Sequence, residues 1–537
     1  MKYYRQLQSS RLWRYFSYLI AIVAMVPVLT IFASWLLPMS EHWQHIREHL
    51  LLRLFANSIL LLLGVSFLSF VLGVIPAWLL SQYRIPGSRL LESSLILPMA
   101  IPAYVNGFIY QGLFDYSGPV STFFRSLGVK GQVFDIRSLT GLIFILSLSL
   151  FPYVYLMTKQ AFASQGSRIV EAGRSLGTPA RDIFWRLALP MAKPWIFASL
   201  ALVAMETLAD FGTASIFGVD TFTTAIYKAW FGFFSPHTAA QLSSILLLLA
   251  MGILLFEQFS LKRKGFHVHQ ERRSAKLKFR KRRTAYSCSA FLFVLVGLGF
   301  LIPFGQLLVW SIEYLETDLL SSLEVAFNSF TLASLSTLCV LACSLILIFA
   351  ERFFPIGRVR LANRVAVLGY AFPGTILAIG LYLPLVSLDN FIADSVEVIF
   401  SWDPGLIFTG SLGIMVLGLS IRFLAVGHGA IRSAQQRVSK RIDEAAYNFG
   451  VYGMKQVKEI HWPILWKSVL GAGVLVFIDV IKEMPLTLMT RPFGWDTLSV
   501  RVFELISEGE WERASLPSLL IVLIGLIPVV LFKGEKS

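Results

Sequence analysis

Charge is scarce in this chain: Asp, Glu, Lys and Arg make up 15% of its 537 residues, against about 25% in a soluble globular protein. With 56% of the residues apolar and a mean hydropathy of +0.67, a water-soluble fold is excluded and the bilayer becomes the solvent. Cysteine is nearly absent. Cys288, Cys339 and Cys343 all fall in or beside apolar runs, so neither a disulfide framework nor a paired-cysteine metal knuckle is available. Catalytic signatures are missing too. There is no G-x-x-x-x-G-K-[ST] phosphate loop, since the glycine cluster from Gly450 to Lys455 has the wrong spacing. No nucleophile elbow or zinc-protease helix occurs either.

Long apolar windows are what the chain has instead. Those nearly free of charge lie at about 15–38, 57–80, 91–112, 139–158, 194–217, 240–259, 287–311, 328–350, 362–385, 405–427, 467–490 and 515–532. They predict an all-α integral membrane protein of about twelve transmembrane helices. An excess of 47 Lys and Arg over 32 Asp and Glu would hint at nucleic acid in a soluble protein; in this composition it marks cytosolic loops, and no nucleic-acid partner is expected. Eleven basic residues crowd into 262–283, whereas 312–327 and 386–404 have none. The positive-inside bias then places both termini in the cytosol, with membrane lipid as the partner of the basic stretch. The first apolar run is too long for a signal-peptide core and is expected to remain as the first span.

The sequence repeats itself. Asn57-Ser58 recurs as Asn328-Ser329 and Pro102 as Pro373, at an offset of 271, while Glu171-Ala172, Gly177 and Pro190 recur as Glu444-Ala445, Gly450 and Pro463 at 273. Glu206 falls on Asp479, Asp210 on Glu483 and Thr224 on Thr497, again at 273. The chain reads as a tandem duplication: a first six-span repeat over 1–261, a basic cytosolic linker over 262–286 and a second repeat over 287–537. An even number of spans per copy gives both the same orientation, with a pathway expected on the axis between them.

The longest cytosolic loop of each repeat has a common skeleton, 171–190 and 444–463. Each opens with a helix-favouring Glu-Ala pair, reaches a glycine six residues on that can supply a turn, resumes a helical pattern and meets a proline before the next span. These residues resemble the Glu-Ala-Ala loop of the membrane permeases of ATP-binding-cassette (ABC) importers, whose short coupling helix fits a groove on the ATPase subunit. Gly173 stands where that motif has its second alanine. The segments from Met205 and from Arg491 are similar to the fused, double-length permeases of the iron(III) transport group; related branches carry thiamine, polyamines or phosphonates. The resemblance implies a multi-pass, non-catalytic permease of the bacterial inner membrane with no cofactor of its own. ATP and magnesium would be bound by a separate, homodimeric ATPase, and substrate delivered by a periplasmic binding protein. Glu171, Ala172, Gly177, Glu444, Ala445 and Gly450 would couple the two by orienting the loops, permitting close docking and setting the turns. Substrate, ferric iron, would then cross by alternating access.

Acids interrupt two of the spans. Glu206 and Asp210 stand at i and i+4 on the fifth, Asp479 and Glu483 repeat the spacing on the eleventh, and Lys482 lies alongside. At roughly 2.5–3.5 kcal/mol each near mid-bilayer, such acids do not face lipid. Two readings stand: they line the passage for a hard cation or cationic organic substrate, or they bond helix to helix with Lys482 neutralising one of them. No firm metal site follows, because a tight chelate would trap the ion. His42, His45 and His49 share a helical face with room for a metal, although an interfacial helix anchored by Trp43 is the commoner arrangement. Pro98, Pro102, Pro373, Gly374 and Pro485 are expected to break helices. The rival from another class is an ion-coupled secondary transporter with the four acids as coupling groups.

Overall fold

The computed structural model describes residues 2–36, 38, 40–128, 135–261, 276–277, 279, 281–402 and 405–534, with the backbone alone over 2–11, 164–172, 174, 180, 258–261 and 529–534. Most of the linker, 262–275, lies outside the described residues. Among the described residues regular structure is helical throughout, apart from one isolated bridge between Tyr83 and Leu277.

Ten of the described helices are long and apolar enough to cross a membrane, from Leu12–Leu36 to Met454–Lys482. The two remaining expected windows also hold helix. The third is a bent pair, Ser88–Ala100 and Ala103–Ser126, at 92°; the last is the helix Ser515–Gly534. The bend has a local cause. Pro102 forces Ile101 into extended backbone (φ −93°, ψ 119°), and Pro373 does the same to Phe372 (φ −95°, ψ 127°). In each repeat a new helix starts directly after that proline, at Ala103 and at Gly374.

The second spanning helix is apolar along most of its length, and none of its serines and glycines is on the exposed side. Along Leu51–Gln82, Leu54, Ser58, Leu61, Val65, Ser69 and Gly73 are buried while Leu52, Leu60, Leu63 and Phe67 are exposed, as lipid contact requires. Gly73 lets this helix approach Leu139–Ser175, since a Cβ there would stand 2.6 Å from the Val154 Cβ.

The chain divides into two compact units that cut across the sequence repeats. One comprises Met1–Gln44, Ile226–Leu247 and Leu323–Arg501. In it the first helix packs on the second repeat: Ser17 Oγ donates to Asn363 Oδ1 at 3.0 Å, and Gly380 lies against the Pro27 backbone. The other comprises His45–Ala225, Leu248–Ser322 and Val502–Ser537. There the helix beginning at Arg282 packs on the first repeat, through Gly299 against Pro98 and Trp310 against Gly112.

Candidate functional site

Two hairpins share one backbone design. In the second, Ser439 caps the helix Lys440–Asn448, its Oγ accepting from the Arg441 N–H at 3.2 Å. The helix ends at Gly450 (φ +71°), with Val451 N–H donating to Ala446 O at 2.9 Å and Gly450 N–H to Tyr447 O at 3.0 Å, a Schellman closure. In the first, Gly177 (φ +72°) follows Leu139–Ser175 and Thr178 N–H donates to Gly173 O at 2.9 Å. Both hairpins then widen into a π-type turn, Ile183–Ala188 and Val457–His461. Each turn ends just before the proline that opens the next span, Pro190 or Pro463. A proline offers no N–H to the carbonyl four residues back, so the helix bulges there.

The six motif residues sit on these hairpins. Glu444, Ala445, Gly450 and Gly177 are exposed; Glu171 and Ala172 belong to the Leu139–Ser175 helix, and their side chains lie outside the described residues. Two further positions escape a motif search. Leu176 is 83% exposed and Phe449 is 85% exposed, each directly before the turn glycine and separated by the same 273 residues. An apolar residue kept outside the core at both matched positions was the available signal.

Beneath the second hairpin Asp443 gathers the structure together. Its carboxylate accepts from Arg352 Nε at 2.8 Å and Gln456 Nε2 at 2.8 Å, and lies 3.0 Å from His461 Nε2. The same guanidinium donates to the carbonyls of Gln435, Val438 and Ser439. Arginine thereby fastens the end of Leu315–Phe353 to the hairpin's entry.

The four membrane acids do not form one cluster type. Asp210 and Glu483 end their helices (Leu189–Ala209 and Trp462–Lys482) and turn to cap the next stretch of chain. Asp210 accepts from Thr213 Oγ1 at 2.7 Å and Ala214 N–H at 2.9 Å; Glu483 accepts from Leu486 N–H at 3.0 Å, Thr487 N–H at 3.1 Å and Thr487 Oγ1 at 2.9 Å. Glu206 and Asp479 lie one turn earlier, half-buried. The fifth and eleventh spans therefore end earlier than their windows, at Ala209 and Lys482 rather than at 217 and 490. Asn57 and Asn328 fasten the chain after each break, donating to the carbonyls of Asp220 (2.9 Å) and Asp496 (3.2 Å). Ser58 and Ser329 accept from the next N–H groups but one, those of Phe222 (3.4 Å) and Leu498 (2.7 Å). This fixes the register: Thr497 matches Thr221, not Thr224, because the second copy has three more residues between break and return.

Among the described residues no group of three or more His, Cys, Asp or Glu is placed to hold a metal ion. Trp43 is not a headgroup anchor: it is 3% exposed and packs edge-on against Trp35 at 5.2 Å. The expected breakers act as such, with Pro102 and Pro373 preceding new helices, Pro98 in a tight turn and Pro485 opening Pro485–Thr490. One charge escapes a search for acids. Arg422 lies inside the window 405–427, with Nη1 3.4 Å from Glu483 Oε1.

Residues 69–259 match the family described as the binding-protein-dependent transport system inner membrane component. Over 489 residues the chain is 27% identical to the Fe(3+)-transport system permease protein FbpB 2 of Haemophilus influenzae, covering 89% of each chain. It is 20% identical over 481 residues to the probable ABC transporter permease protein y4fN of Sinorhizobium fredii, covering 84% of this chain and 82% of that one. The sulfate transport system permease protein CysT of Escherichia coli is 25% identical over 173 residues, 32% of this chain and 61% of that one.

Proposed function

From the match of residues 69–259 to the inner membrane component of binding-protein-dependent transport systems, and from the similarity to permeases along most of the chain, we propose that this chain, an ABC permease subunit, carries ferric iron inward by alternating access. A periplasmic binding protein unloads into the permease, and a separate pair of ATPase subunits, holding ATP and magnesium, drives the change of access. The hairpins 171–190 and 444–463 face the cytosol and are the docking elements, with both termini on the same side. The observation that carries this reading is the pair of exposed apolar residues, Leu176 and Phe449, each held beside a left-handed glycine at the tip of a hairpin. An apolar knob on a fixed turn suits a groove in a partner.

Glu171 and Glu444 orient the hairpins, Ala172 and Ala445 permit close approach, and Gly177 and Gly450 set the tips. Iron as cargo is supported by the length of the alignment with the Haemophilus influenzae protein, which spans both repeats, whereas the sulfate permease aligns over a third of the chain. The test is reconstitution with the ATPase and binding protein. Ferric-loaded binding protein should stimulate ATP hydrolysis, and Ala445→Glu should leave the chain inserted while abolishing that stimulation. Full stimulation in Ala445→Glu removes the docking assignment; stimulation by a sulfate-loaded protein in place of the ferric one removes iron.

A further inference from the structure

The middle of the Leu412–Gln435 helix holds a charge for which the coupling machinery has no use. Arg422 is the eleventh of its 24 residues, roughly 15 Å from the helix start, and its side chain is 12% exposed. At that depth a charge persists where it is paired or where it recognises something charged. Its pairing is incomplete. Nη1 lies 3.4 Å from Glu483 Oε1 but makes no hydrogen bond. The Glu483 carboxylate is already engaged by the N–H groups of Leu486 and Thr487 and by the Thr487 hydroxyl. A guanidinium presents five N–H donors in a planar fork, and the long contact to Glu483, with the Phe423 ring centroid 5.7 Å from the guanidinium carbon, leaves that fork without a hydrogen bond.

Gly374 meets it, and Thr375 follows Gly374 in the chain. Gly374 opens the 27-residue helix Gly374–Phe400, and a Cβ there would stand 2.4 Å from both Arg422 Nη1 and Glu483 Oε1. Glycine thus lets the pair lie against the positive end of a long helix. Thr375, in the same first turn, is fully buried and its hydroxyl has no hydrogen-bond partner. A guanidinium fork, a helix amino end and an unfilled hydroxyl are the donors that oxyanions take. Where an offset of 273 would place the arginine, the first repeat has Ser149, so the feature belongs to one copy.

We propose that Arg422, Thr375 and the amino end of Gly374–Phe400 form an oxyanion subsite in which Glu483 is the resident carboxylate, giving way when an external oxyanion arrives. This rests on the ferric reading and states the form of its cargo. Fe(III) is a hard cation that takes oxygen ligands, and it passes this point with a phosphate- or carboxylate-type ligand still attached.

The test is titration of the full-length chain in nanodiscs with inorganic phosphate and, separately, with citrate, followed by calorimetry. Saturable binding is expected in the native chain, weakened about tenfold or more in Arg422→Gln, partly kept in Arg422→Lys and strengthened in Glu483→Gln, where the competing carboxylate is gone. A pair that merely holds helices together gives no binding to the native chain, or equal loss in both single variants, and either result overturns the subsite. Thermal melting reports folding. If Arg422→Gln does not fold, the sign in Glu483→Gln decides, since only strengthening supports the proposal. Anion binding without stimulation by ferric-loaded binding protein would sink the iron reading and leave the subsite; stimulation without anion binding would sink the subsite alone.

Discussion

Under the first hairpin Gly173 lies against Ile183 and Leu187, and Trp78 reaches Phe184 with ring centroids 5.1 Å apart. Under the second, offsets of 271 and 273 put Ala446, Gln456 and Phe349 at the positions of Gly173, Ile183 and Trp78. There Asp443 binds Arg352, Gln456 and His461, with Phe349 5.5 Å from the His461 ring. Turn glycine, Schellman closure and π-type turn are common to both. The backbone is set by its ends, therefore, and the filling beneath it is free to be apolar or ionic. At Gly173, which departs from the alanine of the motif, a Cβ would stand 3.1 Å from Ile183 Cγ1 and 3.3 Å from Leu187 Cδ1, so the apolar filling is already tight around the glycine.

The largest expected effect tests whether the second filling is truly ionic. Arg352 and Asp443 are 10% and 16% exposed, and removing one partner leaves the other charge buried. Asp443→Ala should cost roughly 3 kcal/mol, read as a lower unfolding midpoint of the purified chain. Arg352→Met combined with Asp443→Leu should recover part of that loss, because no buried charge is then left alone, while Gln456 and the carbonyls of Gln435, Val438 and Ser439 still lose their partners. An unchanged midpoint in the single variant, or a double variant no better than the single, breaks the contrast.

Much of this was legible in the sequence, and for an identifiable reason. Spans follow from apolar content, the broken third span from Pro102, and the hairpins from glycine and proline at matched offsets, all of them local properties. Other features were hidden by averaging. Asp210 and Glu483 lie in windows apolar enough to read as continuous helix, and that their carboxylates cap the next segment depends on how the chain turns there. Arg422 vanished in the same way inside 405–427. Thr224 was matched to Thr497 because a fixed offset cannot register a three-residue insertion; the hydrogen bonds from Asn57 and Asn328 can. Trp43 has the composition of an interfacial anchor, yet its burial depends on Trp35, which precedes the turn.

Where the backbone governs, the two hairpins should respond alike. Gly177 and Gly450 have φ of +72° and +71° with nothing within 4 Å of a built Cβ, so Gly177→Ala and Gly450→Ala meet only the left-handed penalty. Each should lose about 1 kcal/mol, and the two losses should agree within about 0.5 kcal/mol. A marked inequality in the unfolding midpoints would show that the filling reaches the tip after all.

The smallest effect on stability should accompany a clear effect on function. Leu176 and Phe449 are 83% and 85% exposed, so truncating either removes almost no packing, and Leu176→Ala and Phe449→Ala should each stay within about 0.5 kcal/mol of the native chain. If the tips enter a partner, however, those same side chains become buried in the assembled transporter, and stimulated ATP hydrolysis should fall in both variants. The loss should be greater for Phe449→Ala, which removes more apolar area. Equal and undiminished hydrolysis in the two would leave the exposed knobs without a role. A loss confined to one would mean that the different fillings beneath the hairpins go with different work at their tips.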